Sequence, residues 1–461
     1  MTGGEPTGRA RRPALQRVAL ALGGVALIGI SLAGNAFVGR PFHLGPLALG
    51  GMGLGVVGLL AAFFLRRPGW LGLGTRASVA FLSLVIALLA TEGISRVVGD
   101  DFCGGVPLEK RLPPWFVLPM ETFGEGFKKH TGPLEWRGKP LFVNTEIQGV
   151  DPNPFEDEAT VLITYDRDGF RNPEDLDDWD IAVSGDSFTE LGYLPYEALT
   201  TTVLAQESGL RVKNVGVSGV STLSEIAYLE RYGIAPSTRQ WVLAFFEGND
   251  LSELEQEYGA LELWRATGTA SAPYEPDRTY FLEALYERLF GLLDPPGPQC
   301  FVQAYFPGPR GEVPMNGLVV PPARSSITPE QEAQFRAALG RFALLAEGHG
   351  LTPWLAFVPC KLRVHWEGLR FTDQAFERVQ TWRPSDFPAY VRERCEEQRI
   401  RFVDLTEALV AGARASGELL YNASYDTHWN ARGAEIAGKE LARAMREAIG
   451  PIESAEKDQG R

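Results

Sequence analysis

Ser187 is the residue around which the chain's potential chemistry is arranged. It lies in the segment IAVSGDSFTE, whose apolar start at Ile181 predicts a buried strand that turns sharply at Gly185. Ser187 would then stand at the carboxyl end of the strand, where open α/β sheets bind ligands. A serine there is a candidate nucleophile if a base, an acid and oxyanion donors converge on it. Taken alone, the segment favours a simpler interpretation, a polar loop in which Ser187 caps a helix.

Three further segments favour a reactive site over that simpler interpretation. Gly219 ends the segment NVGVSG, and Asn249 lies in the GND that ends WVLAFFEGND. Both segments read as strands that run into polar turns, as the one before Ser187 does. The three turns could therefore meet at one edge of a parallel sheet. The last segment, YDTHWN, lies far downstream and carries Asp426 and His428.

These four segments, in this order, resemble the sequence blocks of the SGNH/GDSL hydrolase superfamily. The resemblance extends over about residues 179–449 and implies a three-layer, flavodoxin-like domain with a parallel sheet. It also implies a catalytic triad of Ser187, Asp426 and His428. In such a triad the serine attacks an ester carbonyl, the histidine takes its proton and the aspartate holds the imidazole. The implied oxyanion donors are the backbone N–H groups of Ser187 and Gly219 and the side-chain amide of Asn249.

The spacing of the last block departs from the superfamily pattern. Asp-x-x-His is usual there, whereas Asp426 lies two positions before His428 and Tyr425 lies three before it. The motif DTHWN is similar to that of the membrane-linked SGNH-like proteins of polysaccharide O-acetylation, such as those that act on alginate. In those proteins the Asp-His block precedes the serine, so both hydrolysis and acyl transfer stay open. His365 is the main competitor as the base, but no acidic residue lies two or three positions before it.

The rest of the segment after Asp180 alternates predicted strands and helices, which is typical of a parallel sheet covered by helices on both faces. Residues 329–348 predict a long helix that begins with PEQE, and residues 280–293 predict another. Residues 300–326 are rich in proline and glycine and predict irregular structure. The catalytic domain is expected over residues 179–450, with a mobile tail over residues 451–461.

The N-terminal region predicts three transmembrane helices, over about residues 18–38, 44–65 and 74–94. Two further apolar runs behind the first argue against a cleaved signal peptide. Arginines precede the first run, and Arg66, Arg67 and Arg76 lie between the second and third. By the positive-inside rule, residues after about 98 then lie outside a bacterial-type cytoplasmic membrane. Residues 1–98 form the predicted membrane region, and residues 99–178 an extended leader packed on the catalytic domain.

All four cysteines, Cys103, Cys300, Cys360 and Cys395, follow the third apolar run. An even number of cysteines in an oxidising compartment is consistent with two disulfides, and four cysteines allow three connectivities. The alternative is four buried thiols.

Composition and motifs exclude several classes of function. The net charge of −14 argues against a nucleic-acid partner. The chain has no HExxH or CxxC motif for a metal and no GxxxxGK[ST] loop for a phosphate, so no metal and no cofactor are expected.

The leading hypothesis is a membrane-anchored, extracytoplasmic serine esterase that removes O-acetyl groups from a glycan or a related ester. The first alternative is an O-acetyltransferase of a cell-surface polysaccharide, which uses the same triad and receives acyl groups from a membrane acyltransferase partner. The second alternative is a non-catalytic glycan-binding scaffold, which the intact Ser187, Asn249 and His428 argue against.

Overall fold

A computed structural model describes residues 118–138, 161–268, 302–309, 311–315, 317–373, 375, 377–422 and 427–449. These residues belong to one compact unit formed by Val106–Asp277 and Pro296–Arg461. The three predicted membrane segments, the predicted helix over residues 280–293 and the predicted tail lie outside the described residues. Within the described part of the chain, no helix combines the length and apolar character that a membrane span needs.

The described residues form twelve strands and ten α-helices, and the strands of the central sheet alternate with helices as the sequence predicts for the segment after Asp180. The strands are β1 (Met120–Phe123), β2 (Phe127–His130), β3 (Leu134–Gly138), β4 (Val161–Tyr165), β5 (Ile181–Gly185), β6 (Val212–Asn214), β7 (Gln240–Phe246), β8 (Ala304–Gly308), β9 (Gly311–Met315), β10 (Thr352–Val358), β11 (Arg370–Phe371) and β12 (Arg401–Asp404). The helices are α1 (Ser187–Glu190), α2 (Thr200–Ser208), α3 (Thr222–Tyr232), α4 (Asp250–Thr267), α5 (Pro329–Gly348), α6 (Lys361–His365), α7 (Glu377–Thr381), α8 (Phe387–Glu397), α9 (Thr406–Ser416) and α10 (Ala431–Ile449).

A parallel sheet of five strands forms the centre, in the order β12-β10-β7-β5-β6. Numbered along the chain, these strands give the flavodoxin-like order 2-1-3-4-5. The direction of winding reverses between β5 and β7, and the loops after these neighbouring strands separate to leave a crevice. The predicted α/β class is therefore confirmed, and the reversal point lies where Ser187 follows β5.

Two hydrophobic layers cover the sheet, one on each face. Val242 and Ala244 of β7 pack on one face with α2, α9 and α10. Leu243 and Phe245 of the same strand pack on the other face with α3, α4, α5 and α8. This alternation is the two-residue period of a strand that is buried on both sides. The sheet is thereby held rigid beneath the loops at its carboxyl edge.

The segment before the sheet forms two antiparallel pairs, β1 with β2 and β3 with β4. Its end contacts the sheet directly. Asn172 donates from Nδ2 to the backbone oxygen of Asn214 at 2.9 Å, and its Oδ1 accepts from the Asn214 N–H at 3.0 Å. Lys213 of β6 forms a fully buried ion pair with Asp166. These buried polar contacts tie residues 166–172 to the edge strand of the sheet.

Residues 300–326, predicted as irregular, contain an antiparallel hairpin of β8 and β9, with β11 added beside β8. Proline disfavours strands because it lacks an N–H donor, and this weakened the sequence signal. Pro314 lies on β9, the edge strand of this small sheet, where one side of the backbone needs no partner.

The prediction of disulfides is wrong for Cys360 and Cys395. Both are free, fully buried thiols. They lie in the hydrophobic layers on opposite faces of the sheet, so they cannot pair with each other. Burial raises the pKa of both thiols, which keeps them protonated. Cys103 and Cys300 lie outside the described residues.

Candidate active site

Ser187 is the first residue of α1 and follows β5 after a turn of one residue, Asp186. Asp186 caps this short helix because its Oδ1 accepts the N–H of Phe188 at 2.9 Å. A side chain at Gly185 would meet Thr189 Oγ1 at 2.1 Å and the Ala244 side chain at 2.9 Å. Glycine at this position therefore allows the turn to fold tightly against β7 and to present Ser187 at the carboxyl edge.

His428 contacts Ser187 directly, with 2.5 Å between its Nε2 and the serine Oγ. A short hairpin carries the histidine. Tyr421 and Trp429 form an antiparallel bridge, and the N–H of Asn422 donates to the backbone oxygen of His428 at 2.9 Å. This Ser-His contact has the geometry of a nucleophile and its general base. Both residues are partly exposed, so a substrate can reach them.

Aromatic side chains fix the orientation of the imidazole. The ring of Phe188 lies 4.8 Å from the ring of His428, and the ring of Tyr193 lies 6.1 Å away. Tyr193 donates its hydroxyl to the backbone oxygen of Trp429, the residue after the histidine. Phe188 and Trp429 also meet edge to face, with 5.1 Å between ring centroids. These contacts join α1 to the hairpin independently of the Ser-His hydrogen bond.

The structure brings Gly219 and Asn249 to the same edge of the sheet as Ser187. Gly219 lies in the loop after β6 with a positive φ of 73°, a conformation that favours glycine. Among the described residues, the N–H groups of Ser187 and Gly219 have no hydrogen-bond partner, so both can donate to an oxyanion. Asn249 lies at the start of α4, after β7, and its buried Oδ1 has no hydrogen-bond partner among the described residues. Asp426, the predicted triad acid, lies outside the described residues.

His365, the other candidate for the base, has a structural role instead. It is 3% exposed, and its Nε2 accepts the N–H of Leu420 at 3.3 Å. Burial and the charge of Lys361 lower the pKa of His365 to about 3, so it stays neutral. His365 thus supports the irregular segment that leads into the His428 hairpin.

Buried carboxyl groups lie beneath the site, and no pattern in the sequence predicts their burial. Burial raises the pKa of Asp186 to about 6, although the N–H of Phe188 and the charge of His428 act in the opposite direction. Burial and neighbouring acids also raise the pKa values of Asp250 and Glu225 well above the ordinary range. Asp250 accepts the N–H of Phe246 at 2.6 Å and so closes the turn after β7. Asp250 and Glu225 therefore favour their protonated forms and add little negative charge beneath the nucleophile.

Residues 321–460 match the family model described as the SGNH hydrolase-like domain of the acetyltransferase AlgX. The resemblance to the SGNH superfamily is confirmed. The match to the SGNH model contains His428 and begins after Ser187, Gly219 and Asn249. Comparison with curated proteins gives no match.

Several solved structures overlap with this chain at low sequence identity. A G-D-S-L family lipolytic protein from Desulfitobacterium hafniense is 14% identical, with 58% of this chain and 99% of that chain covered and a TM-score of 0.29. A catalytic mutant of the acetylxylan esterase Axe2 from Geobacillus stearothermophilus is 14% identical, with 59% of this chain and 95% of that chain covered and a TM-score of 0.30. The psychrotrophic esterase EstA from a Pseudoalteromonas species is 11% identical, with 59% of this chain and 99% of that chain covered and a TM-score of 0.29.

Proposed function

We propose that this protein is an SGNH-type serine enzyme that removes O-acetyl groups from a glycan or a related ester. The observation that carries the proposal is the 2.5 Å contact between Ser187 Oγ and His428 Nε2 at the reversal point of the sheet. A serine becomes nucleophilic when a neighbouring base accepts its proton. Acetyl as the acyl group is supported by the match of residues 321–460 to an acetyltransferase domain.

The reaction would begin when Ser187 Oγ attacks the acetyl carbonyl and passes its proton to His428 Nε2. The N–H groups of Ser187 and Gly219 and the amide of Asn249 would bind the resulting oxyanion. Collapse of this intermediate breaks the ester bond, and the leaving sugar oxygen takes the proton from His428. Water, deprotonated by His428, then attacks the acetyl-Ser187 and releases acetate. In this scheme Asp426 holds the imidazole through its other nitrogen.

Transfer of the acetyl group to a sugar hydroxyl is the second candidate function. The acetyl-Ser187 intermediate is the same, and a hydroxyl replaces water in the second step. The AlgX acetyltransferase match favours this candidate, whereas the partial exposure of Ser187 and His428, which lets water reach the intermediate, favours hydrolysis. Transfer outside the membrane needs an acyl donor, which a membrane acyltransferase partner would supply.

The proposed location is the outer face of a bacterial-type cytoplasmic membrane, with residues 1–98 as a multi-pass anchor. The apolar runs and the arginine asymmetry of the sequence support this location. A topology reporter fused after Arg461 should be active outside the cytoplasm. Activity of the reporter in the cytoplasm alone would contradict the proposed location.

The deciding experiment incubates the detergent-solubilised full-length chain with a chromogenic acetate ester, with and without an acceptor oligosaccharide. Release of acetate without acceptor supports the esterase, and turnover that requires the acceptor supports the transferase. Ser187→Ala should abolish both, and a fluorophosphonate should label the original protein but not this variant. If the protein shows no turnover and Ser187 is not labelled, both proposals are refuted and a glycan-binding scaffold is favoured.

A further inference from the structure

Glu190 is a fully buried carboxylate three residues after the nucleophile, at the end of α1. Three donors converge on it from three parts of the chain. Its Oε1 accepts from Tyr165 Oη and lies 3.1 Å from His130 Nε2. Its Oε2 accepts the backbone N–H of Ser218 at 2.5 Å. Ser218 directly precedes Gly219, the proposed oxyanion donor.

The charge state of Glu190 suits an acceptor of three hydrogen bonds. Burial acts to raise its pKa, but the charge of His130 and the hydrogen bonds from His130, Tyr165 and Ser218 outweigh burial and lower the pKa to about 2. Glu190 is therefore ionised across the neutral range and can only accept. His130 Nε2 must then be the donor in its contact with Glu190. Arg171 is a further buried cation: burial lowers the pKa of its guanidinium, and the charge of Glu190 acts in the opposite direction.

The loop that Glu190 holds, residues 214–219, lies directly against α1. The N–H of Val217 donates to the backbone oxygen of Gly185 at 3.0 Å, which fixes the middle of the loop to the end of β5. A side chain at Gly216 would meet Thr189 at 2.6 Å and the Glu190 nitrogen at 2.9 Å. The bond from Ser218 to Glu190 is the last of these attachments before Gly219. It fixes the Val217–Ser218 peptide group, which is separated only by the Ser218 α-carbon from the peptide group whose Gly219 N–H must point at the oxyanion.

We propose that Glu190 is a positioning residue that aims the Gly219 N–H at the oxyanion, and that His130 and Tyr165 hold Glu190 in place. The inference rests on the proposed function. It gives β2 and β4, which precede the sheet, an indirect part in the reaction because they supply two of the three donors. A donor contributes to catalysis only when it is placed where the oxyanion will form, so the effect should appear in the chemical step.

The test variant is Glu190→Gln in the full-length chain. All three partners of Glu190 donate, and an amide has only one accepting oxygen, so at least one donor must face an NH2 group. Loss of one oxyanion donor costs ~10²–10³ in turnover, and misplacing a donor should cost less, about 10-fold to 100-fold in kcat. The rate of Ser187 labelling by a phosphonate, which forms a tetrahedral adduct, should fall in parallel, while KM changes less than about twofold.

Glu257→Gln is the matched control. The Glu257 carboxylate likewise accepts backbone N–H groups, from Ser221 and Leu223, and so fixes the start of α3. Among the described residues, its hydrogen bonds go to Ser221, Leu223 and Ser224 and not to Ser218 or Gly219. This variant should lower the melting temperature without lowering kcat. Tyr165→Phe removes one donor and leaves the carboxylate, so it tests the inference with a smaller fall in kcat if Glu190→Gln does not fold.

The outcomes separate the inference from the proposed function. If Ser187→Ala is inactive and both Glu190→Gln and Tyr165→Phe keep the original kcat and labelling rate, the positioning role of Glu190 is refuted. An equal loss of kcat in Glu190→Gln and Glu257→Gln would also refute it, because general destabilisation would then explain the loss. If Ser187→Ala remains active, the proposed function itself fails, whatever the Glu190 variant does.

Discussion

Replacing Asp186 by asparagine should stabilise the protein at alkaline pH and leave its stability unchanged in acid. Asp186 is 1% exposed, and burial raises the pKa of its carboxyl from 3.8 to about 6. The folded state therefore holds the proton more tightly than the unfolded state, and stability falls as pH rises between about 4 and 6. The rise in the pKa of Asp186 corresponds to a loss of at most about 3 kcal/mol in the free energy of unfolding at pH 8, at about 1.4 kcal/mol per pKa unit.

Asparagine carries no charge, so it removes the loss of stability that ionised Asp186 causes at high pH. It keeps an oxygen that can accept the N–H of Phe188, so α1 should remain capped. The measurement is the apparent melting temperature of Asp186→Asn and the original protein from pH 4.5 to 8. The variant should melt higher at pH 8, and the difference should shrink towards pH 4.5. Asp404→Asn is the control: Asp404 also accepts an N–H two residues ahead, from Thr406 at 2.9 Å, but it is only half-buried. A pH-independent difference for Asp186→Asn, equal to that of the control, would refute the reasoning.

Three further predictions concern the site and the packing that supports it. Asn249→Ala should lower kcat by ~10²–10³, as for loss of one oxyanion donor; unchanged turnover would remove Asn249 from the site. Asp426→Asn should lower kcat by less than the ~10⁴ seen for a serine protease, and His428→Ala should lower kcat further because it removes the base itself. Full activity of Asp426→Asn across pH 6–8, about the range in which histidine titrates, would mean that another residue is the triad acid. Gly216→Ala should destabilise the fold by ~1–3 kcal/mol through overpacking, whereas Gly259→Ala, where a side chain meets nothing within 4 Å, should not destabilise it; equal melting temperatures for these two variants would contradict the packing argument.

The sequence predicted the parts of this structure that depend on local pattern. The helix over Pro329–Gly348 has the predicted bounds, because it has the helical period and a clear start signal. The approach of His428 to Ser187 agrees with the triad that the SGNH/GDSL resemblance implies, whereas the strand-end argument applies only to Ser187, because no strand of the sheet ends at His428.

The parts that could not be predicted depend on contacts between distant segments. His130 lies in a short strand of FKKH, which has no period to mark it as buried, yet it reaches Glu190 at 3.1 Å. Helix α9 was not predicted, although it supplies Leu409 and Ala413 to one face of the sheet. Cysteine number alone suggested disulfides, whereas the position of Cys360 and Cys395 in separate layers excludes a bond between them.

The order of the motifs along the chain has a physical explanation in how each residue is carried. Ser187 is fixed by the sheet, because β5 must lie beside β7 to create the crevice. His428 belongs to no strand of that sheet, and a hairpin between α9 and α10 brings it to the serine from outside. A histidine carried in this way needs only a loop that reaches the carboxyl edge, so its position before or after the serine is not dictated by the sheet. The Asp-His block can therefore follow the serine, as it does here, and His428 still reaches Ser187.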